Sequence, residues 1–203
     1  MHTTPLASAL TIALAASTLA GPPATPHLDL WLHPDGPALL TGSITEGTPG
    51  KPFAAIARVF GADLGDDPEF PFSASEPGFQ SLSGRATAGA SFAFAIPGPL
   101  LAWNSLAFAP SDHTMTLEFG PASVTSTTGF VDGFTFTTQP SGLMHIHFNF
   151  TLNGPVGDPA PGIYALPMVF EGVTPLYAPA PTAWIVFNLS QDESEHDAAM
   201  RFA

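Results

Sequence analysis

Apolar residues return at every second position in one short segment after another of this 203-residue chain, and 23 prolines and 19 glycines separate the segments. Side chains of an extended strand alternate between two faces, so a period of two marks β structure. No long window carries the period of an amphipathic helix. The alternation predicts strands over residues 27–33, 38–44, 53–60, 90–96, 100–108, 114–119, 133–138, 143–152, 162–170 and 182–189. The turn residues Pro34, Asp35, Gly36 and Pro37 join the first two as a hairpin. The expected fold is all-β, an antiparallel immunoglobulin-like β-sandwich of about ten strands.

The remaining segments set the domain organisation. Residues 1–20 are uncharged, with an apolar run from Pro5 to Ala16 and small residues at Thr18 and Ala20, and read as an export signal without the usual basic start. The run is shorter than the roughly 20 apolar residues that span a bilayer. No other segment qualifies, so the mature chain, residues 21–203, is expected to be one secreted or periplasmic domain without a transmembrane segment. Residues 61–84, rich in Pro, Gly and acids, are expected to form a long loop. The acidic tail after Leu189 is expected to add a helical turn or to fray.

Composition narrows the chemistry. With no cysteine there is no disulfide, thiolate metal site or cysteine nucleophile, so any metal is held by nitrogen and oxygen. Seventeen acids against four bases give a formal charge of -13, which repels phosphate backbones and argues against a nucleic-acid partner. For most of these acids the simpler role is solubility.

Two predicted strands carry the functional signal. In "GLMHIHFNF", residues 142–150, His145, His147 and Asn149 share one face, while Met144, Ile146, Phe148 and Phe150 share the other. In "HLDLWLH", residues 27–33, the shared polar face holds His27, Asp29, Trp31 and His33. Residues two apart in a strand lie about 6.6 Å apart and project the same way, so two imidazoles can reach one ion through bonds of about 2.0–2.1 Å. If the two strands are neighbours, His27, Asp29, His145 and His147 make a shell of three imidazoles and one carboxylate suited to a divalent transition metal, zinc first. Asn149 would orient a ligand from behind. The competing account leaves these histidines on a solvated face.

Other candidates are weaker. His33 and His113 are spare ligands, and His196 with Asp197 in the tail is set aside. Asp63, Asp66, Asp67 and Glu69 match no EF-hand spacing and read as a solvated acidic turn. Neither G-x-S-x-G nor H-E-x-x-H occurs, the acid that a cupin-like site needs after His-x-His is missing, and nothing recommends a carboxylate pair for glycoside hydrolysis. Asp158, Gly162 and Tyr164 suggest a tyrosine corner, with a structural role for Tyr164.

Taken in order, "HLDLWL", "GLMHIHFNFTL" and "PGIYAL" resemble the bacterial surface-anchored domain family of choice-of-anchor type. Its members open on a His-Val-Asp strand and later carry His-x-His-x-Asn-Trp before a Pro-Gly-x-Tyr strand. His27, Asp29, His145, His147 and Asn149 fall on that pattern, with Phe150 in place of the tryptophan, and no C-terminal anchor is visible. The resemblance, which includes zinc-regulated cyanobacterial relatives, implies that the His-rich faces handle zinc and implies no catalysis. The expected function is therefore an exported metal-binding protein. The alternative is a structural or adhesive surface module whose histidines are incidental.

Overall fold

A computed structural model describes residues 29–44 and 55–203. The expected export signal, His27 and residues 53 and 54 lie outside the described residues. Strands β1 (Asp29–Asp35) and β2 (Ala38–Ile44) form the expected hairpin, closed where Asp35 faces Ala38, with Gly36 at a φ of 57° that glycine adopts without strain. There follow β3 (Ala55–Ile56), β4 (Val59–Asp63), β5 (Ser73–Ala74), β6 (Phe79–Ser81), β7 (Ser91–Ile96), β8 (Leu101–Trp103) and β9 (Phe108–Pro110). The chain continues through β10 (Thr114–Phe119), β11 (Ala122–Thr125), β12 (Val131–Thr137), β13 (Met144–Ile146), β14 (Asn149–Asn153), β15 (Gly162–Thr174) and β16 (Ala183–Leu189), then helix α1 (Glu193–Phe202).

The all-β, sandwich-like expectation holds, with more and shorter strands than the alternation suggests. One sheet runs β13-β6-β1-β2-β3, a second β11-β10-β14-β5, and a third β12-β7-β15-β16-β4 with the β8–β9 hairpin attached to β15. Most pairs are antiparallel, but β1 with β6 and β16 with β4 are parallel. One apolar cluster draws on all three sheets, including Leu30 and Leu32 from β1, Phe79 from β6, Leu117 from β10, Phe150 from β14 and Phe187 from β16. Alternate residues of β15 and β16 face the other way: Ile163, Ala165 and Val186 pack with Ala199 of α1. Strand β15 is therefore buried on both faces, and its continuous apolar run replaces a clean alternation.

Three expectations about segments need correction. The loop expected over residues 61–84 contains β5 and β6, and Phe79 of β6 is fully buried. The strand expected over residues 143–152 is two strands in two sheets: β13 pairs with β6, β14 pairs with β10 and β5, and the chain changes sheet at His147 and Phe148. Alternation continues across this break because both pieces turn their even-numbered residues to the same core. The tail forms a ten-residue helix seated on its sheet through Ala199 and His196. Among the described residues no helix is long and apolar enough to cross a membrane.

Tyr164 takes the structural place expected of it. Its hydroxyl donates to the Ala160 carbonyl at 2.7 Å, and burial raises the phenol above its usual pKa. His113 belongs to this corner: Nε2 accepts from the Ala160 N–H at 3.2 Å, so the ring's proton lies on Nδ1, 3.2 Å from the Ser111 hydroxyl.

Candidate metal centre

The two strands that carry the polar faces are not neighbours. Strand β6 lies between them, parallel to β1 and antiparallel to β13, and its residues set the spacing of the site. Leu30 and Ile146 both face Phe79, and His145 faces Gln80. The next row of the sheet brings Asp29, Gly78 and His147 together: the Leu30 N–H donates to the Gly78 carbonyl, and the Gly78 N–H donates to Asp29 Oδ1 at 3.1 Å.

Gly78 is what allows Asp29 and His147 to meet across an intervening strand. A Cβ at this position would lie 2.7 Å from Asp29 Oδ1, 2.7 Å from His147 Cε1 and 2.9 Å from His147 Nε2. Any side chain would fill the space in which the donors converge. The core-facing residues beside them fix the backbone from below. Phe79 and Phe148, each adjacent to a site residue, pack at 4.4 Å between ring centroids and are fully buried.

Above that base, His145 Nε2 stands 2.9 Å from Asp29 Oδ2 and 3.0 Å from His147 Nε2. The donor atoms of Asp29, His145 and His147 all lie within 4.8 Å of one another. His147 Nδ1–H donates to the Ser75 carbonyl at 2.9 Å, which leaves Nε2 to accept the hydrogen bond from His145 Nε2–H at 3.0 Å. Glu76 adds negative charge behind the ring, with Oε1 3.5 Å from Nδ1, while its Oε2 accepts from the Gly78 N–H at 3.1 Å. Asp29 Oδ2 is buried and accepts no aligned hydrogen bond, but it has His145 Nε2 at 2.9 Å as an ion-pair partner. A buried carboxylate oxygen in this position is satisfied by positive charge, from a protonated imidazole or from a metal ion.

The donor set can hold a metal ion. Tetrahedral zinc with bonds of 2.0–2.1 Å separates its donors by about 3.4 Å, somewhat more than the observed 2.9 and 3.0 Å, so the rings must move apart to admit an ion. The side chain of Asp29 is 5% exposed, while those of His145 and His147 are 49% and 37% exposed, so the cluster is anchored on its carboxylate side and open to solvent on its imidazole side.

Of the residues expected at the site, the structure brings together Asp29, His145 and His147. His27 lies outside the described residues. Asn149 Nδ2 donates to Thr151 Oγ1 at 3.4 Å, and the partner that orients His147 is the Ser75 carbonyl. His33 is at the far end of β1 against Trp31, its pKa lowered mainly by burial and also by the charge of Arg85, with Asp35 opposing. His113 is at the Tyr164 corner. The sequence reading missed Ser75, Glu76 and Gly78 because all three fall in the segment taken for a loop. The available signal was the "PGFQS" stretch, where a Pro-Gly pair precedes Phe79, Gln80 and Ser81.

The comparisons with known proteins add no further constraint: no family model, no curated protein and no solved structure matches the chain. What defines the class is the fold and the cluster, an all-β protein with a surface His/Asp group able to hold a metal ion.

Proposed function

We propose that this is an exported metal-binding protein that holds one divalent transition metal ion, zinc, through Asp29 Oδ2, His145 Nε2 and His147 Nε2, with His27 as the fourth donor. The observation that carries the reading is the convergence of the His145 and His147 Nε2 atoms, hydrogen-bonded at 3.0 Å, on a buried Asp29 carboxylate oxygen that pairs with His145 at 2.9 Å. Two nitrogens and one oxygen, with no thiolate in the chain, are a donor set that zinc accepts. The hydrogen bond from His147 Nδ1 to Ser75 is the kind of outer contact that fixes the tautomer of a ligating histidine. The resemblance to surface-anchored domains with zinc-regulated relatives points to the same metal and to the same export. No reaction is assigned to the site.

Calorimetric titration tests this reading. His145→Ala combined with His147→Ala is expected to remove one equivalent of bound zinc from the full chain. The zinc affinity of the parent protein at this site is expected to fall as pH falls, because protons compete for the imidazoles. If the double variant binds zinc with the stoichiometry and affinity of the parent, the reading is wrong, and a structural or adhesive role for the sandwich takes its place.

A further inference from the structure

A second group of potential ligands lies where helix α1 meets the edge of the largest sheet. Strand β4 is that edge, and its alternation sends Phe60 and Ala62 into the main core and Gly61 and Asp63 toward the helix. The helix sits close to the strand because Gly61 has no side chain. A Cβ there would be 2.7 Å from Met200 Sδ and 3.2 Å from His196 Cε1. Glu193 and His196, three apart on α1, share a helix face. Carboxylate oxygens of Asp63 and Glu193 and a ring nitrogen of His196 all lie within 4.8 Å of one another.

The second observation concerns His196 itself. The residue is 3% exposed, its Nε2–H donates to the Val186 carbonyl at 2.9 Å, and its buried Nδ1 has no hydrogen-bond partner. With the ring's proton on Nε2, Nδ1 carries a lone pair. No hydrogen bond joins that nitrogen to either carboxylate, although ligand atoms of the three residues lie within 4.8 Å of one another. Asp63 Oδ1 accepts from Asn188 Nδ2 at 3.0 Å, and among the described residues no hydrogen bond reaches Oδ2. Glu193 is exposed, whereas Glu195, which accepts from Trp103 Nε1 at 2.6 Å, is already engaged.

We propose that Asp63, Glu193 and His196 bind a divalent transition metal ion that clips helix α1 onto strand β4, a second site distinct from the one at Asp29, His145 and His147. Two carboxylates and a neutral imidazole form a hard-to-borderline set that takes zinc or manganese. The ion links an element at the C-terminal end of the chain to a strand more than a hundred residues earlier, so its effect falls on the docking of the helix. It binds only the docked arrangement and therefore stabilises it.

The test uses the full chain carrying His145→Ala and His147→Ala, with zinc as the probe. One equivalent of zinc is expected to bind, and amide exchange across residues 193–202 is expected to slow by about tenfold at a modest excess of metal. Adding Asp63→Asn and Glu193→Gln is expected to abolish both effects. These changes preserve shape, since Glu193 is at the surface and the carboxamide of Asp63→Asn keeps an acceptor oxygen for Asn188; circular dichroism confirms the fold. Absence of bound zinc in the His145/His147 variant overturns the proposal. So does residual zinc whose stoichiometry and effect on helix exchange survive the two carboxamide substitutions. Neither outcome depends on whether the first site is real.

Discussion

Phe148→Ala is expected to lower the free energy of unfolding by about 3–5 kcal/mol, read from the shift of the urea midpoint at constant slope. Phe148 is 0% accessible, and its ring has Phe79 at 4.4 Å, Phe134 at 4.9 Å, Phe94 at 5.5 Å, Phe136 at 5.6 Å and Phe119 at 5.7 Å. Neighbours drawn from β6, β7, β10 and β12 cannot all collapse into the space it leaves, so a cavity remains along with the lost burial. Against a total stability of about 5–15 kcal/mol this is a large fraction. It also reaches the site, because Phe148 follows His147 at the point where the chain passes from one sheet to another. A loss below about 1 kcal/mol would show that the aromatic cluster is loosely packed and does not hold the site strands.

The second large effect separates site from scaffold. Gly78→Ala is expected to reduce zinc affinity by at least about tenfold to a hundredfold while costing only about 1–3 kcal/mol of stability. The added methyl would sit 2.7 Å from both Asp29 Oδ1 and His147 Cε1, and relief comes from turning the imidazole or displacing the carboxylate. Either movement spoils the convergence of donors and leaves the core beneath untouched. Calorimetry with zinc and a denaturation curve on the same variant measure the two quantities. Unchanged zinc affinity would mean that the donors do not depend on the space above Gly78.

What could be read in the sequence follows from which interactions are local. Strand alternation is local, so the polar face of His145 and His147 and that of Asp29 appeared in the order of residues alone. The hairpin of β1 and β2 was legible for the same reason, with turn residues between two apolar runs. The order of strands in the sheet is not local. Strand β6 has three residues, too few for a period to register, yet it separates the two site strands, and the glycine just before it lets them communicate. The break at His147 and Phe148 was hidden because the period of two survives the change of sheet. In the sequence His196 reads as part of an acidic tail, and only the packing of α1 on Gly61 reveals that it is buried. Short pieces whose pairing is decided by tertiary contacts were the common cause.

The most direct measurement is anomalous diffraction at the zinc edge from crystals of the full chain grown with excess zinc. The account predicts a peak about 2.0–2.1 Å from His145 Nε2, His147 Nε2 and Asp29 Oδ2 together. A data set with no anomalous peak within bonding distance of His145 and His147 would contradict it.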